Sequence, residues 1–240
     1  MSVKGKFYGV GVGPGDPQLL TLKAVEVLKH VDIVAVPKSR MDRESVAWEI
    51  AKVHCPSNIE LMELEMPMTS KESVLEAAWR DGAERIAEVV HQGKNVAFLT
   101  LGDPSLYSTY IYLLNLLKKE LLPEQIETVP GIMAMAAAAA KVNQPLATGD
   151  EPLLVLPGIE GLEDYSQIPN LVVMKVSRNL PEVLQNLRKN GGRAILATRV
   201  GQAGEEIREL TDQEQMEKVD YLSLVLIKQQ AVGGNSVERK

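Results

Sequence analysis

The chain contains very little cysteine and histidine, and this scarcity excludes several kinds of site. It has one cysteine, Cys55, and three histidines among 240 residues. A single cysteine cannot form a disulfide within the chain, and the histidines are too scattered to give the ligand spacing of a metal site. We therefore expect a protein of a reducing compartment, the cytoplasm, with no metal bound by the polypeptide itself.

The chain also has fewer basic than acidic residues. The 26 lysines and arginines are outnumbered by 32 aspartates and glutamates, and the formal net charge is -6. Nucleic acids and membrane surfaces are polyanions that proteins bind through basic surfaces. No apolar run is long enough to cross a bilayer, and the first residues lack the pattern of a signal peptide. These features predict a small-molecule partner, with no nucleic acid and no membrane.

The sequence does contain a regular alternation of short apolar runs with segments of helical period, of which the clearest extends from Lys71 to Gly93. This alternation is typical of α/β domains with mainly parallel strands. The Pro-containing turn at 118–125 divides the chain into halves of similar length, so we expect two α/β domains, residues 1–122 and 123–240, with a ligand cleft between them. The predicted strands are Phe7–Val12, Asp32–Val36, Asn95–Leu99, Gln125–Val129, Leu153–Leu156, Leu171–Lys175, Ala194–Thr198 and Tyr221–Ile227.

A loop rich in glycine, "YGVGVGPGDPQLLTLKA", joins the first strand to a helix. It lacks the spacing of the Rossmann dinucleotide fingerprint in every register, and no phosphate-loop G-K-[ST] follows it. Asp16 also disfavours a phosphate, because its carboxylate occupies the place of an anion at the helix N-terminus. A backbone so poor in side chains suggests close approach to a flat or bulky ligand. The alternative is an ordinary turn in which Asp16 or Thr21 caps the helix.

Further stretches with the same character follow other predicted strands, namely "TLGDPSLYS", "VPGIMAMAAAA" and "LATRVGQAGEEI". Each alone is compatible with a plain turn. The carboxyl ends of parallel strands meet at one edge of a sheet, where open α/β proteins bind their ligands. Taken together, the loops therefore predict one binding site.

The motifs "GVGPGDPQLLTLKA", "GDPSLYSTY" and "VPGIMAMAAAAAKVNQPL", in this order, resemble those of the tetrapyrrole (corrin and porphyrin) methyltransferases. The resemblance extends over essentially the whole chain and is strongest to the precorrin-2 or cobalt-factor II C(20)-methyltransferases of cobalamin synthesis. It implies a homodimer with the two-domain tetrapyrrole methylase fold, distinct from Rossmann methyltransferases. It also implies S-adenosyl-L-methionine as cofactor, S-adenosyl-L-homocysteine as product, and a tetrapyrrole as substrate.

The resemblance also implies site residues. Lys175 matches a family position that meets adenine largely through its backbone, and Gly201 matches a similar position in the last cofactor loop. Met133 stands where relatives often have a hydroxyl side chain. Gly13 and Gly15 would border the tetrapyrrole. The residues that the resemblance places at the cofactor are Pro14, Leu101, Gly102, Asp103, Leu106, Met133, Ala134, Lys175 and Gly201.

The chemistry that the resemblance implies needs few catalytic groups. A sulfonium is a good leaving group, and holding two reactants in line can lower a barrier by about 7–11 kcal/mol. Carboxylates near Asp103 would favour the positive sulfur. A proton must leave carbon 20, and Asp16 and Tyr107 are the candidate bases, although Asp16 could equally orient the ring and Tyr107 could simply pack.

The tetrapyrrole carries many carboxylates, which require cations on an acidic protein. The segment "VPKSRMDRES" supplies Lys38, Arg40 and Arg43 after the second strand, and arginine suits forked carboxylate contacts. The alternative is that these are solvated loop charges. Other functions left open are methylation of uroporphyrinogen III, a later precorrin, a diphthine precursor or ribosomal RNA, and a non-catalytic nucleotide-binding module.

Overall fold

In a computed structural model, described for residues 5–38, 45–67, 69–160, 162–211 and 219–229, the chain forms two compact α/β units. The first unit ends at Met133 and the second begins at Ala134. The sequence instead suggested a division at 122/123. The observed division lies later because the strand Ile126–Val129, which follows the Pro-containing turn, pairs with Phe7–Gly11 in the sheet of the first unit.

The first unit is a parallel five-stranded sheet in the order β3-β2-β4-β1-β5. Along β4, Val96 and Phe98 pack in the core beneath α3 and α4, whereas Ala97 and Leu99 pack in the core beneath α1 and α2. Both faces of the sheet are therefore buried, as parallel sheets require. The elements are β1 (Phe7–Gly11), α1 (Leu22–His30), β2 (Ile33–Lys38), α2 (Val46–Ala51), β3 (Glu60–Glu65), α3 (Glu72–His91), β4 (Val96–Thr100), α4 (Tyr110–Glu120) and β5 (Ile126–Val129).

The edge strand β3 was not predicted from the sequence. Its residues, "ELMELE", are mostly exposed, and Leu64 is the one that is fully buried. A strand at a sheet edge that buries a single side chain has no apolar run by which it could be recognised.

The second unit contains a mixed five-stranded sheet in the order β6-β7-β10-β8-β9. Strands β6 and β7 are parallel, but β10 is antiparallel to both β7 and β8, and β9 is antiparallel to β8. The prediction of mainly parallel strands is therefore wrong for this unit, because apolar periodicity does not encode strand direction. The elements are α5 (Ala134–Lys141), β6 (Leu153–Leu156), β7 (Asn170–Met174), α6 (Leu180–Asn190), β8 (Arg193–Thr198), β9 (Glu206–Glu209) and β10 (Ser223–Lys228).

Local signals for helix ends were more reliable. Helix α6 carries Pro181 in its first turn and ends at Asn190, just before Gly191, whose positive φ of 70° is far easier for glycine than for other residues. Within the described part of the chain, no helix combines the length and apolar character needed to cross a bilayer.

Candidate functional site

Three loops of the first unit meet at the carboxyl edge of its sheet. They follow β1, β4 and β5, which are adjacent and parallel. The pairing of β1 with β4 continues into the loops, because the Val12 N–H donates to the Thr100 carbonyl at 2.9 Å. Gly13 and Gly102 then exchange two backbone hydrogen bonds, of 3.3 and 2.8 Å. The first two glycine-rich motifs are thus brought into direct contact, as expected.

Several of the loop glycines are required by the protein's own packing. A Cβ on Gly9 would lie 2.1 Å from the Tyr110 ring, and one on Gly11 would lie 2.6 Å from the Gly131 nitrogen. A Cβ on Gly131 would lie 2.1 Å from the Gly102 carbonyl oxygen. These distances are far below van der Waals contact, so close packing of the loops against each other and against Tyr110, rather than a ligand, explains Gly9 and Gly11.

Gly102 differs from these packed glycines. Its φ of 76° is left-handed, and a Cβ built on it would have no atom within 4 Å. The backbone of the second loop therefore borders open space at this point, which suits a cofactor that lies against the main chain. In the first loop, Gly13 is also left-handed, with φ of 74°, and Gly13, Pro14 and Gly15 are buried.

Asp103 links the second and third loops. Its Oδ1 accepts hydrogen bonds from the Ser105 N–H, at 2.8 Å, and from the Ser105 hydroxyl, while Oδ2 accepts one from the Gly131 N–H at 2.9 Å. The residue is 8% exposed. Burial opposes the charged form, but the hydrogen bonds from Ser105 and Gly131 outweigh it and hold the pKa of this carboxyl below its ordinary value. Asp103 is therefore a buried anion that holds the second and third loops together.

Both capping residues considered for the first loop act as caps. Oδ1 of Asp16 accepts the Gln18 N–H at 2.9 Å and caps the short 3-10 turn Pro17–Leu19. Thr21 caps α1 by accepting the Ala24 N–H at 3.1 Å, and its hydroxyl lies 3.4 Å from the Pro130 carbonyl, to which it donates. Asp16, a candidate base, therefore has at least one oxygen engaged in the turn.

The remaining predicted residues of the first unit lie in the same loops. Tyr107 has φ of 50°, which is unusual for a residue other than glycine, and its side chain is 42% exposed. Leu101 and Leu106 flank Asp103 and are partly buried, as is Met133 at the end of the third loop.

The predicted substrate cations are only partly described. Lys38 ends β2, and its Nζ lies 2.6 Å from Oε2 of Glu63 on β3. Its charge is thus already matched by an acid of the neighbouring strand. Arg40 and Arg43 lie outside the described residues.

Three predicted cofactor residues belong to the second unit. Ala134 begins α5, and Lys175 follows β7 with a left-handed φ of 56°. Gly201 follows β8, and its N–H donates to Oε2 of Glu205 at 2.5 Å. This hydrogen bond is the main cause that lowers the pKa of Glu205, which also binds Lys141 at 3.0 Å. The Gly201 N–H therefore has a partner within its own loop.

Comparison with known proteins identifies the family. Residues 6–214 match the family described as Tetrapyrrole (Corrin/Porphyrin) Methylases. The chain belongs to this family. The methylase is 41% identical over 228 residues to a probable cobalt-precorrin-2 C(20)-methyltransferase of Methanocaldococcus jannaschii, covering 93% of this chain and 96% of the relative. It is 32% identical to the cobalt-precorrin-2 C(20)-methyltransferase of Salmonella typhimurium, covering 95% of this chain and 98% of the relative.

Solved structures agree on the fold of the methylase. The X-ray structure of a cobalt precorrin-4 methyltransferase superposes with a TM-score of 0.72 at 19% identity, covering 93% of this chain and 94% of that one. A uroporphyrin-III C-methyltransferase of Thermus thermophilus, complexed with S-adenyl homocysteine, gives a TM-score of 0.66 at 22% identity, covering 93% and 97%. The expected tetrapyrrole methylase fold is thereby confirmed.

Sequence reasoning missed the residues that support the methylase loops from within. Ser105 and Glu205 hold Asp103 and Gly201 in place, and Glu63 neutralises Lys38. Ser105 could have been found, because an Asp followed two residues later by a free N–H is a common turn motif. Glu63 and Glu205 act across strands or within an irregular loop, and no local pattern marks them.

Proposed function

We propose that this methylase transfers a methyl group from S-adenosyl-L-methionine to carbon 20 of precorrin-2 or of cobalt-factor II. The observation that carries the proposal is the 41% identity to the relative from Methanocaldococcus jannaschii, over nearly the full length of both chains. A precorrin-2 C(20)-methyltransferase of Sinorhizobium is 30% identical over 93% of this chain. Relatives named for cobalt-precorrin-4 C(11) and uroporphyrinogen-III methylation match only 78% of the chain, at 29% identity.

The loops of the first unit supply features that suit the cofactor. When bound, S-adenosyl-L-methionine would supply an electrophilic methyl group on a positively charged sulfur. The open space beside Gly102 leaves the main chain accessible to it. Leu101 and Leu106 provide apolar side chains in the same loop, and Met133 follows Gly131, which packs against Gly102. The buried, ionised Asp103 contributes a negative charge in a region of low dielectric, which favours a cation.

We propose that Lys175, Gly201 and Ala134 of the second unit also contact the cofactor, as the family motifs imply. The N–H of Gly201 is engaged with Glu205, so its contact with a ligand would be made through its carbonyl or Cα. Gly13 and Gly15, together with Lys38, Arg40 and Arg43, remain the predicted contacts to the tetrapyrrole.

The acceptor of the proton from carbon 20 can be tested without disturbing the fold. Asparagine caps helices as well as aspartate does, so Asp16→Asn should preserve the turn that Asp16 closes at Gln18. Tyr107→Phe keeps an aromatic ring at this left-handed backbone position and removes only the hydroxyl. A general base is worth about 10²–10⁴-fold in rate, so loss of that size in kcat with unchanged KM would identify the base. Full activity of both variants would show that alignment alone is sufficient.

The substrate assignment requires a direct comparison of substrates. The protein would be incubated with methyl-labelled cofactor and, separately, with metal-free precorrin-2, cobalt-factor II and uroporphyrinogen III. Label at carbon 20 of either of the first two supports the proposal and decides whether cobalt is present in the ring. Label at another carbon, or in uroporphyrinogen III alone, would assign the chain to another activity of the family.

We also propose a cytoplasmic homodimer, as the family resemblance implies. Exposed apolar side chains such as Leu22, which is 89% exposed, and Tyr112, which is 49% exposed, are available for contact with a second subunit. Analytical ultracentrifugation at micromolar concentration tests this, and a monomer would contradict it.

A further inference from the structure

Two cationic residues stand at one edge of the sheet in the second unit. Strands β7 and β8 are both antiparallel to β10, which lies between them, so their carboxyl ends are at the same edge. Met174 pairs with Leu224 and Thr198 pairs with Ser223. The residues that come next, Lys175 and Arg199, therefore flank the start of β10.

Both residues have a backbone conformation that is unusual for residues with side chains. The φ angle is 56° at Lys175 and 50° at Arg199. The backbone of Arg199 is held on both sides, since its N–H donates to the Leu222 carbonyl at 2.8 Å and its carbonyl accepts the Gln202 N–H at 2.9 Å. Left-handed residues of this kind are found preferentially at functional sites, where the surroundings enforce them.

The guanidinium of Arg199 is incompletely satisfied. Its Nε is buried and has no hydrogen-bond partner among the described residues. Its Nη1 lies 3.5 Å from Oδ2 of Asp220, which is a long distance for a charged hydrogen bond, and the side chain is 41% exposed. An arginine has five N–H donors, so this guanidinium can donate hydrogen bonds to a further anionic partner at its exposed end.

Asp220, which lies across from Arg199, and Glu205, in the loop that follows it, both have other partners. Oδ1 of Asp220 accepts the Leu222 N–H at 2.8 Å, and Glu205 binds the Gly201 N–H and Lys141. Arg193, at the opposite end of β8, has a more complete set of hydrogen bonds than Arg199. It forms two hydrogen bonds, of 2.8 and 3.0 Å, with Glu209 on the neighbouring strand.

We propose that Arg199, with Lys175 as a second cation at the same edge, binds a carboxylate of a ligand of this methylase. The proposal rests on the proposed function, which involves two carboxylate-bearing molecules: the cofactor, through its amino-acid end, and the tetrapyrrole, through its ring substituents. A planar guanidinium recognises a carboxylate through parallel N–H donors, which gives geometric selectivity as well as attraction. Arg199 is then a ligand-binding residue that sequence reasoning did not single out.

The test compares Arg199→Met with Arg193→Met, which removes the same charge from the same strand at its other end. Arg199→Lys is the second variant, because it keeps the charge and loses the fork. Binding of S-adenosyl-L-homocysteine and of methylthioadenosine, which lacks the amino-acid end, would be measured by calorimetry. The KM for the tetrapyrrole and the melting temperature would be measured for each protein.

The two sources of the carboxylate give different results. If the cofactor supplies it, Arg199→Met weakens S-adenosyl-L-homocysteine about tenfold or more and leaves methylthioadenosine unchanged. If the tetrapyrrole supplies it, the KM for the tetrapyrrole rises about tenfold and cofactor affinity stays within twofold. In either case Arg199→Lys falls between wild type and Arg199→Met, which also keeps the test informative if the methionine variant does not fold.

Two results would overturn the inference while leaving the proposed function intact. One is an Arg199→Met protein that matches Arg193→Met in both affinities and in KM. The other is an equal loss of S-adenosyl-L-homocysteine and methylthioadenosine, because the second compound has no carboxylate. A wild-type protein that binds neither compound and methylates no tetrapyrrole would overturn the proposed function as well.

Discussion

Oδ2 of Asp103 accepts a hydrogen bond from the backbone N–H of Gly131 at 2.9 Å, and this contact joins the loop after β4 to the loop after β5. The other oxygen of the same carboxylate closes the turn at Ser105. One buried side chain thus sets the position of two of the three loops that meet at the sheet edge, so its loss should affect both stability and binding.

Replacing Asp103 with alanine leaves the Gly131 N–H without its partner. We expect the free energy of unfolding to fall by about 1–3 kcal/mol, which is the cost of leaving a buried donor without a hydrogen-bond partner. Affinity for S-adenosyl-L-homocysteine should fall as well, because the loops lose their mutual alignment and the negative charge is removed. Urea unfolding and calorimetric titration measure the two effects. The control is Asp81→Ala, on the exposed surface of α3, and an Asp103→Ala protein equal to it in both assays would contradict the expectation.

The same carboxylate predicts a pH dependence of stability. The pKa of Asp103 is lower in the folded protein than its ordinary value of about 3.9. Its ionised form therefore stabilises the fold fully above about pH 4, and this contribution is lost as the pH falls further toward the folded pKa. In urea unfolding at a series of pH values, Asp103→Asn should be less stable than wild type at neutral pH. The difference should shrink below about pH 4, and a difference that grows with acid would show that the sign is wrong.

Gly102 and Gly131 pack against each other, but replacing each with alanine should affect stability differently. In Gly131→Ala the new Cβ would meet the Gly102 carbonyl at 2.1 Å, so we expect a loss of about 1–3 kcal/mol in stability from overpacking. In Gly102→Ala the Cβ enters open space, so stability should fall only by the left-handed penalty of about 1–2 kcal/mol.

Gly102→Ala should instead lower cofactor affinity, about tenfold or more, because the methyl group occupies space that we assign to the ligand. Gly149→Ala is the matched control, since its φ of 55° is also left-handed and its Cβ also meets no atom within 4 Å. Thermal melts and titrations of the three variants test this. Unchanged affinity in Gly102→Ala would show that the ligand lies elsewhere.

Asn186 on α6 offers a stabilising substitution. It is 5% exposed, and neither its Nδ2 nor its Oδ1 has a hydrogen-bond partner among the described residues. Leucine has the same branched shape and a higher helix propensity, so Asn186→Leu should raise stability by about 1–3 kcal/mol by removing an unsatisfied amide. The control is Gln185→Leu at an exposed position of the same helix, where the melting temperature should change little. A lower melting temperature in Asn186→Leu would indicate that the amide has a partner.

The regular elements with strong apolar patterns were predictable from the sequence. Strands β1, β4 and β7 are buried along most of their length, so each is a short apolar run with clear ends. Helix α4 begins only at Tyr110, although apolar residues occur from Leu106 onward, because the residues before it form turns held by Asp103 and Ser108. Such turns depend on side-chain hydrogen bonds that a periodic pattern does not reveal.

By itself, the sequence determined the family, the α/β class and the places where loops bare of side chains follow buried strands, because motif order and apolar period are local properties of the chain. Only the tertiary structure decided which glycines pack against protein and which border open space, since Gly11, Gly102 and Gly131 come together from distant parts of the chain. The tertiary structure also decided that Lys38 has an acidic partner while Arg199 is incompletely satisfied. Charge pairing depends on which strands lie side by side, and strand order is set by the packing of the whole sheet.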